Sequence, residues 1–113
     1  MTVPDVEFCY LTTTGRASGR PHEIEIWYGV DGDTVYMLSG GGQRSDWVRN
    51  LLADAAVTVR IDGDSRPGTA REVPDGAEDD LARRLLASKY QGWREGRAMS
   101  GWARTALAIA VDL

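Results

Sequence analysis

The feature that most constrains this chain is a strict two-residue alternation followed at once by a tight turn. Across residues 22–30, Ile24, Ile26, Tyr28 and Val30 fall on one face, and Glu23, Glu25 and Trp27 on the other. Successive side chains change sides only in a strand, so the stretch from His22 to Val30 predicts a half-buried strand. Asp31-Gly32-Asp33 then reads as a turn, and residues 34–39 as the returning arm of a hairpin. An early antiparallel hairpin commits the chain to a sheet whose first strands are joined by short connections.

The remaining segments extend that sheet. Residues 6–13 are rich in β-branched and aromatic side chains and predict a strand that stops at Thr14-Gly15-Arg16-Ala17-Ser18-Gly19-Arg20-Pro21. Gly40-Gly41-Gly42-Gln43-Arg44 is too glycine-rich for regular structure. Ser45 or Asp46 then caps a short helix ending near Asp54, with Trp47, Val48, Leu51 and Leu52 as its apolar face. Residues 56–62 alternate with Val57, Val59 and Ile61 inward, and Gly63-Asp64 turns the chain into a strand around residues 68–73. Asp75 is the expected cap of a helix over residues 76–90. Glu78, Asp79 and Asp80 suit its positive end, and Leu81, Leu85, Leu86 and Lys89 give it an amphipathic spacing. Residues 91–101 read as irregular or a short helix, and residues 106–113 as a closing strand. About six strands and two or three helices predict an α+β fold whose antiparallel sheet can close into a barrel. No repeat or linker divides the 113 residues, so one domain over 1–113 is expected.

Charge and rare residues narrow the function. The net charge is −4, and Lys89 is the only lysine among 13 basic residues. A nucleic-acid binder gains affinity by neutralising phosphates with clustered cations, so that partner is not expected. Scattered Arg still allows local recognition of phosphate or carboxylate. One cysteine, Cys9, and one histidine, His22, exclude a disulfide, a thiolate cluster and a His-rich metal site, so no metal is expected. The N-terminus carries Asp5 and Glu7 and lacks the layout of a signal peptide, and the apolar run at residues 105–111 is too short to span a bilayer. A cytoplasmic protein is expected. Its small core leaves room for a second subunit, as in a homodimer.

Three segments hold more Gly, Ser and Arg than a plain barrel needs. Thr12 through Arg20 combines hydroxyls, a pliable backbone and the guanidiniums of Arg16 and Arg20, which suits either an anion cradle or a polar hairpin loop. Ser39-Gly40-Gly41-Gly42-Gln43-Arg44-Ser45-Asp46-Trp47 is a strand, a glycine loop and a helix start, where free N–H groups can meet an anion. Asn50, three residues on, can bond a ligand ring or a loop carbonyl. Tyr90, Trp93 and Trp102, near Arg94 and Arg97, serve equally as walls for a flat substrate or as core plugs. A Cys9–His22 pair or a Ser–His–Asp set finds no supporting pattern.

Taken together, Leu11-Thr12-Thr13-Thr14-Gly15-Arg16-Ala17-Ser18-Gly19-Arg20-Pro21, Ser39-Gly40-Gly41, Trp47-Val48-Arg49-Asn50-Leu51 and Val57-Thr58-Val59 resemble the deazaflavin-dependent nitroreductase family of actinobacteria. The order and spacing run through about two thirds of the chain. The resemblance implies an antiparallel split β-barrel, related to FMN-binding and pyridoxine-phosphate-oxidase-like proteins, with two or three flanking helices. It implies coenzyme F420, a deazaflavin with a phosphate and an oligoglutamate tail, as the cofactor. Arg16, Ser18, Arg20 and His22 would hold the acidic end. Ser39, Gly40, Gly41, Gly42, Arg44, Ser45, Trp47 and Asn50 would enclose the ring and its side chain. Trp27, Ser39 and Tyr90, with Trp93 beside them, would border the substrate pocket, and the proton would come from solvent or from Tyr90. The chain departs from the pattern at Ala17, His22, Glu23 and Glu25.

The implied activity is hydride transfer from reduced coenzyme F420 to a small-molecule acceptor such as a quinone, an enone or a nitroaromatic. Two other readings share the barrel: a non-catalytic module holding F420, a flavin or a tetrapyrrole, and an oxidoreductase that uses FMN.

Overall fold

The computed structural model describes residues 3–113. Seven strands form one antiparallel sheet: β1 (Cys9–Thr14), β2 (Pro21–Ile26), β3 (Gly29–Asp31), β4 (Thr34–Ser39), β5 (Ala56–Ile61), β6 (Asp64–Glu72) and β7 (Leu107–Asp112). The helices are α1 (Asp46–Ala53), α2 (Ala77–Gln91) and α3 (Gly101–Thr105), and a 3-10 turn covers Gly42–Arg44.

The strand order β2-β1-β5-β6-β7-β4-β3 puts consecutive strands at opposite edges of the sheet. Only Trp27 and Tyr28 join β2 to β3. Laid flat, strands about 4.8 Å apart would separate those edges by about 29 Å. Two linking residues span only about 10 Å. The sheet therefore curls until its edges meet.

The curl creates two apolar layers. Inside lie Leu11, Val35, Met37, Val57, Val59, Ile61, Ile109 and Val111, with Val48 and Leu51 of α1 packed among them. Outside, Tyr36, Leu38, Ala108 and Ala110 meet Ala82 and Leu86 of α2. β4 and β7 are thus buried on both faces. β7 alternates large residues inward with alanines outward, and the alanines let α2 approach closely.

Several sequence expectations need correction. The stretch at residues 22–30 is not one strand, because the chain must cross from one sheet edge to the other at Trp27-Tyr28. β6 starts at Asp64 rather than near Gly68. Asp62 and Gly63 take φ values of 52° and 81°, a two-residue turn that pairs Ile61 directly with Asp64. The helix beginning at Ala77 is preceded by Gly76 with no side-chain cap, so Asp75 does not cap it. The first strand runs from Cys9 to Thr14, and the strand count is seven rather than six. Among the described residues, no helix is long and apolar enough to cross a membrane.

Candidate functional site

The loop joining β1 to β2 closes on itself. Gly15 N–H donates to the Arg20 carbonyl at 2.7 Å, and Gly19 N–H to the Gly15 carbonyl at 2.8 Å. The Ser18 hydroxyl accepts from Arg20 N–H at 3.1 Å. Between this loop and the start of α1 lies a cleft of about 320 Å³, into which Arg16, Ser18, His22, Asp46 and Asn50 face. Four of the residues expected at the anionic end of a ligand therefore meet around one cavity or its loop. A methyl group on Gly15 would stand 2.6 Å from His22 Nε2, so glycine there lets the imidazole lie across the loop.

The charges around the cleft are unequal. Arg16 is engaged: its guanidinium reaches Asn50 Oδ1 at 2.8 Å and Asp46 Oδ1 at 3.0 Å. The Asp46 side chain is 85% exposed, so the pair is well solvated and open to exchange with another anion. Among the described residues, the side chains of Arg20 and Arg44 have no hydrogen bond or ion pair, and both are exposed. Within the cleft the donors are the Arg16 guanidinium, the Ser18 hydroxyl and the His22 imidazole. Arg20 on the same loop adds a free guanidinium next to it, completing a donor set suited to phosphate and carboxylate. Arg44 stands in the 3-10 turn, outside the cleft's lining. The acidic end of a deazaflavin fits these residues.

The glycine loop is held by its own serines. Ser39, 2% exposed, bonds through its hydroxyl to the Gly42 carbonyl at 3.0 Å and to Ser45 Oγ at 2.8 Å. A methyl group on Gly41 would reach 2.6 Å from Ser45 Oγ, which accounts for a glycine at that position. Ser39 and Ser45 shape the loop, while Gly40 and Gly41 leave exposed backbone. Trp47 packs against the barrel interior, partly buried. Asn50 also sits inside, its Nδ2 donating to Thr13 Oγ1 at 3.2 Å.

A second groove, about 410 Å³, opens beyond the glycine loop and is lined by Phe8, Glu25, Ile26, Trp27, Leu38, Gln91 and Trp102. Trp27 stacks flat on Tyr90, with ring centres 4.4 Å apart, and meets Trp102 edge-on at 5.6 Å. The Ser100 hydroxyl accepts from Ala103 N–H at 3.1 Å and starts α3, the helix that carries Trp102 to this place. Trp93 is elsewhere. It lines a separate groove with Asp80, Arg83 and Met99, and its indole donates to the Arg97 carbonyl at 2.7 Å. Trp102, rather than Trp93, completes the aromatic wall with Trp27.

Tyr90 is tied to the main chain. Its hydroxyl donates to the Glu7 carbonyl at 2.7 Å, with the Tyr28 carbonyl 3.1 Å away, and accepts from Tyr28 N–H at 3.0 Å. Burial pushes its pKa up to about 12. Cys9 is fully buried, and burial raises its thiol to about 12 as well. Cys9 pairs with Ile26 and His22 with Thr13, so the two side chains lie at opposite ends of the β1–β2 ladder. No group of His, Cys, Asp and Glu among the described residues has a metal-binding arrangement.

Cleft and groove share β2. His22 lines one, and Glu25 and Ile26 line the other, three residues or about 10 Å further along. Such a strand can seat a ligand with an anionic end and a flat ring.

Comparison with known proteins gives this geometry its context. The profile of the F420H(2)-dependent quinone reductase family matches residues 1–113. A conserved hypothetical protein of Mycobacterium tuberculosis, Rv2991, superposes with a TM-score of 0.79 at 20% identity, over 93% of this chain and 71% of that one. An F420-H2 dependent reductase, FDR-A, gives 0.72 at 22% identity and 98% of both chains. A structure described as a domain-swapped dimer gives 0.72 at 24% identity, over 97% of this chain and 83% of that one. The curled sheet is a split β-barrel.

Proposed function

The chain belongs to the F420H(2)-dependent quinone reductase family, and from that premise we propose how its own residues serve the reaction. The activity is hydride transfer from reduced coenzyme F420 to an activated acceptor, with quinones, enones and nitroaromatics as the acceptor classes. When bound, the cofactor supplies the hydride, and the acceptor takes up one proton to complete a two-electron reduction. The β1–β2 loop, Arg20 and Arg44 bind the phosphate and acidic tail, with Arg16 joining them when an anion displaces Asp46. Gly40 and Gly41 present bare backbone to the flat ring. Trp27 and Trp102 wall the acceptor and exclude water from one side, and Tyr90 holds Trp27 in place. The proton comes from solvent, since the Tyr90 hydroxyl already donates to a main-chain carbonyl. The placing of the cleft at His22 and of the aromatic groove at Glu25 and Ile26 on one strand, β2, carries this reading.

We propose further that the protein works as a cytoplasmic homodimer. The domain-swapped relative supports the dimer, and light scattering of the purified protein tests it. Reliance on a diffusible reduced cofactor supports the cytoplasmic location.

The central experiment is a fluorescence titration with oxidised coenzyme F420, with FMN in parallel, followed by anaerobic oxidation of the reduced cofactor by a naphthoquinone. Saturable F420 binding and turnover are expected. Arg20→Ala and Arg44→Ala should each weaken binding about tenfold or more, the scale of a hydrogen bond to a charged group. Preference for FMN would move the activity to the flavin branch, and binding without turnover would leave only a carrier.

A further inference from the structure

We propose that Glu25 makes the aromatic groove charge-selective, so that it admits neutral and cationic planar acceptors and turns away anionic ones. The word "acceptor" rests on the reductase reading above; the charge preference rests on the groove alone. Glu25 lies on β2 two residues before Trp27, on the same face, and is the only ionisable residue among Phe8, Ile26, Trp27, Leu38, Gln91 and Trp102 around the groove. The Tyr10 hydroxyl donates to its Oε1 at 2.8 Å, which fixes the carboxylate while leaving its charge in place. Glu25 has no ion pair among the described residues. The cation beside it, Arg60, lies 4.2 Å over the Tyr10 ring and is committed to Glu23 Oε1 at 3.2 Å. Glu23, Glu25 and Arg60 together leave this rim negative. A planar ring lies in the groove against the touching indoles of Trp27 and Trp102, and any charge it carries meets the exposed Glu25 carboxylate at the rim. An effective dielectric between the protein-surface and bulk values gives about a fivefold effect per unit charge at low salt.

The test uses quenching of the protein's tryptophan fluorescence by three naphthoquinones: the parent, one bearing a quaternary ammonium group and one bearing a sulfonate. The ammonium compound should bind at least tenfold more tightly than the sulfonate at low ionic strength, with the gap closing as salt is added. In Glu25→Gln, which keeps an acceptor for Tyr10, the gap should shrink to about twofold. Equal binding of all three by the wild type, or an unchanged gap in Glu25→Gln, overturns the proposal. Should that variant fail to fold, Arg60→Gln removes the opposing cation and should widen the gap at least twofold; no widening overturns it equally. Turnover of the same three compounds with reduced coenzyme F420 separates the two readings. Charge preference in binding with no reduction of any compound keeps the filter and removes the reductase, and reduction without preference does the reverse.

Discussion

Asn50 Oδ1 accepts two hydrogen bonds from Arg16, one from its backbone N–H at 3.2 Å and one from guanidinium Nη1 at 2.8 Å. The same amide donates through Nδ2 to Thr13. A helix residue 4% exposed thus fastens the β1 end of the turn beside the cleft, on either side of Gly15. Its amide is a brace on the loop.

Asn50→Ala should therefore act on stability and affinity together. It strips partners from the Thr13 hydroxyl and the Arg16 N–H, a loss of about 1–3 kcal/mol for groups left unpaired in a buried place. The loop, left with only the solvated Arg16–Asp46 pair to fasten it to α1, should bind the cofactor more weakly. Chemical denaturation and F420 titration of one preparation check both. A variant with native stability and weakened binding would instead place Asn50 against the ligand itself.

Tyr90→Phe separates a proton donor from a structural phenol. The ring and its stack on Trp27 survive, while Tyr28 N–H and the Glu7 carbonyl lose a partner. Stability should fall by about 1–2 kcal/mol. Removing a general acid costs about a hundredfold or more in rate; with the proton drawn from solvent, kcat should stay within about tenfold of wild type. Stopped-flow oxidation of the reduced cofactor gives the rate, and a larger loss would make Tyr90 the donor.

How far the sequence speaks depends on whether a constraint is local. The strand at residues 34–39, the helix beginning at Asp46 and the inward set Val57, Val59 and Ile61 are legible because period is read within a few residues. The expected cap is not, since Ser45 makes no capping bond and its hydroxyl is engaged with that of Ser39. The break at Trp27-Tyr28 is not, since the alternation keeps its phase across it: Tyr28 still points inward and Trp27 outward. Only closure of a seven-stranded sheet demands that break. The site divides in the same way. The Gly15–Arg20 segment is legible as a tight polar loop, but the engagement of Arg16 by Asp46 and Asn50 spans 30 and 34 residues and leaves no periodic trace. The irregular stretch after α2 hides which tryptophan turns back, so Trp93 and Trp102 are indistinguishable until Ser100 is seen to start a helix.

Acid sensitivity should centre on Arg71. Its guanidinium reaches both oxygens of Glu78 at 2.6 Å and Asp112 Oδ2 at 2.7 Å, while the Tyr36 hydroxyl donates to Glu78 Oε2. Hydrogen bonds from Arg71 first, then from Tyr36, lower the Glu78 pKa from 4.5 to about 2. Arg71 lowers that of Asp112 as well. A carboxylate depressed in the folded state adds stability that is complete above its unfolded pKa and vanishes as pH falls through the folded one. For Glu78 the loss runs from about pH 4.5 down to about pH 2. Both partners are about one-third exposed, so solvent screening limits the effect to about 1 kcal/mol. Glu78→Gln should lower the melting temperature at neutral pH by about 4–8 °C and flatten the acid limb. Melting curves across that window check it, and an unaltered limb would assign the acid loss to other groups.

Two glycines separate space needed for a ligand from space needed for the fold. A methyl group on Gly68 would lie 2.5 Å from Val111 Cγ1 and 3.1 Å from the Asp112 carbonyl. Val111 is fully buried and the carbonyl is backbone, so neither can move aside cheaply. Gly68→Ala should cost about 1–3 kcal/mol by overpacking. On Gly15 the methyl group would meet His22 Nε2 at 2.6 Å and Ser18 Oγ at 2.8 Å, both ends of exposed side chains that can swing away. Gly15→Ala should then change stability by about 0.5 kcal/mol or less, yet weaken F420 binding, because the displaced imidazole and hydroxyl belong to the cleft. Melting temperature and cofactor affinity should thus part company: Gly68→Ala lowers the first, and Gly15→Ala the second. Loss of stability without loss of affinity in Gly15→Ala would show the cofactor's acidic end lying away from the β1–β2 loop.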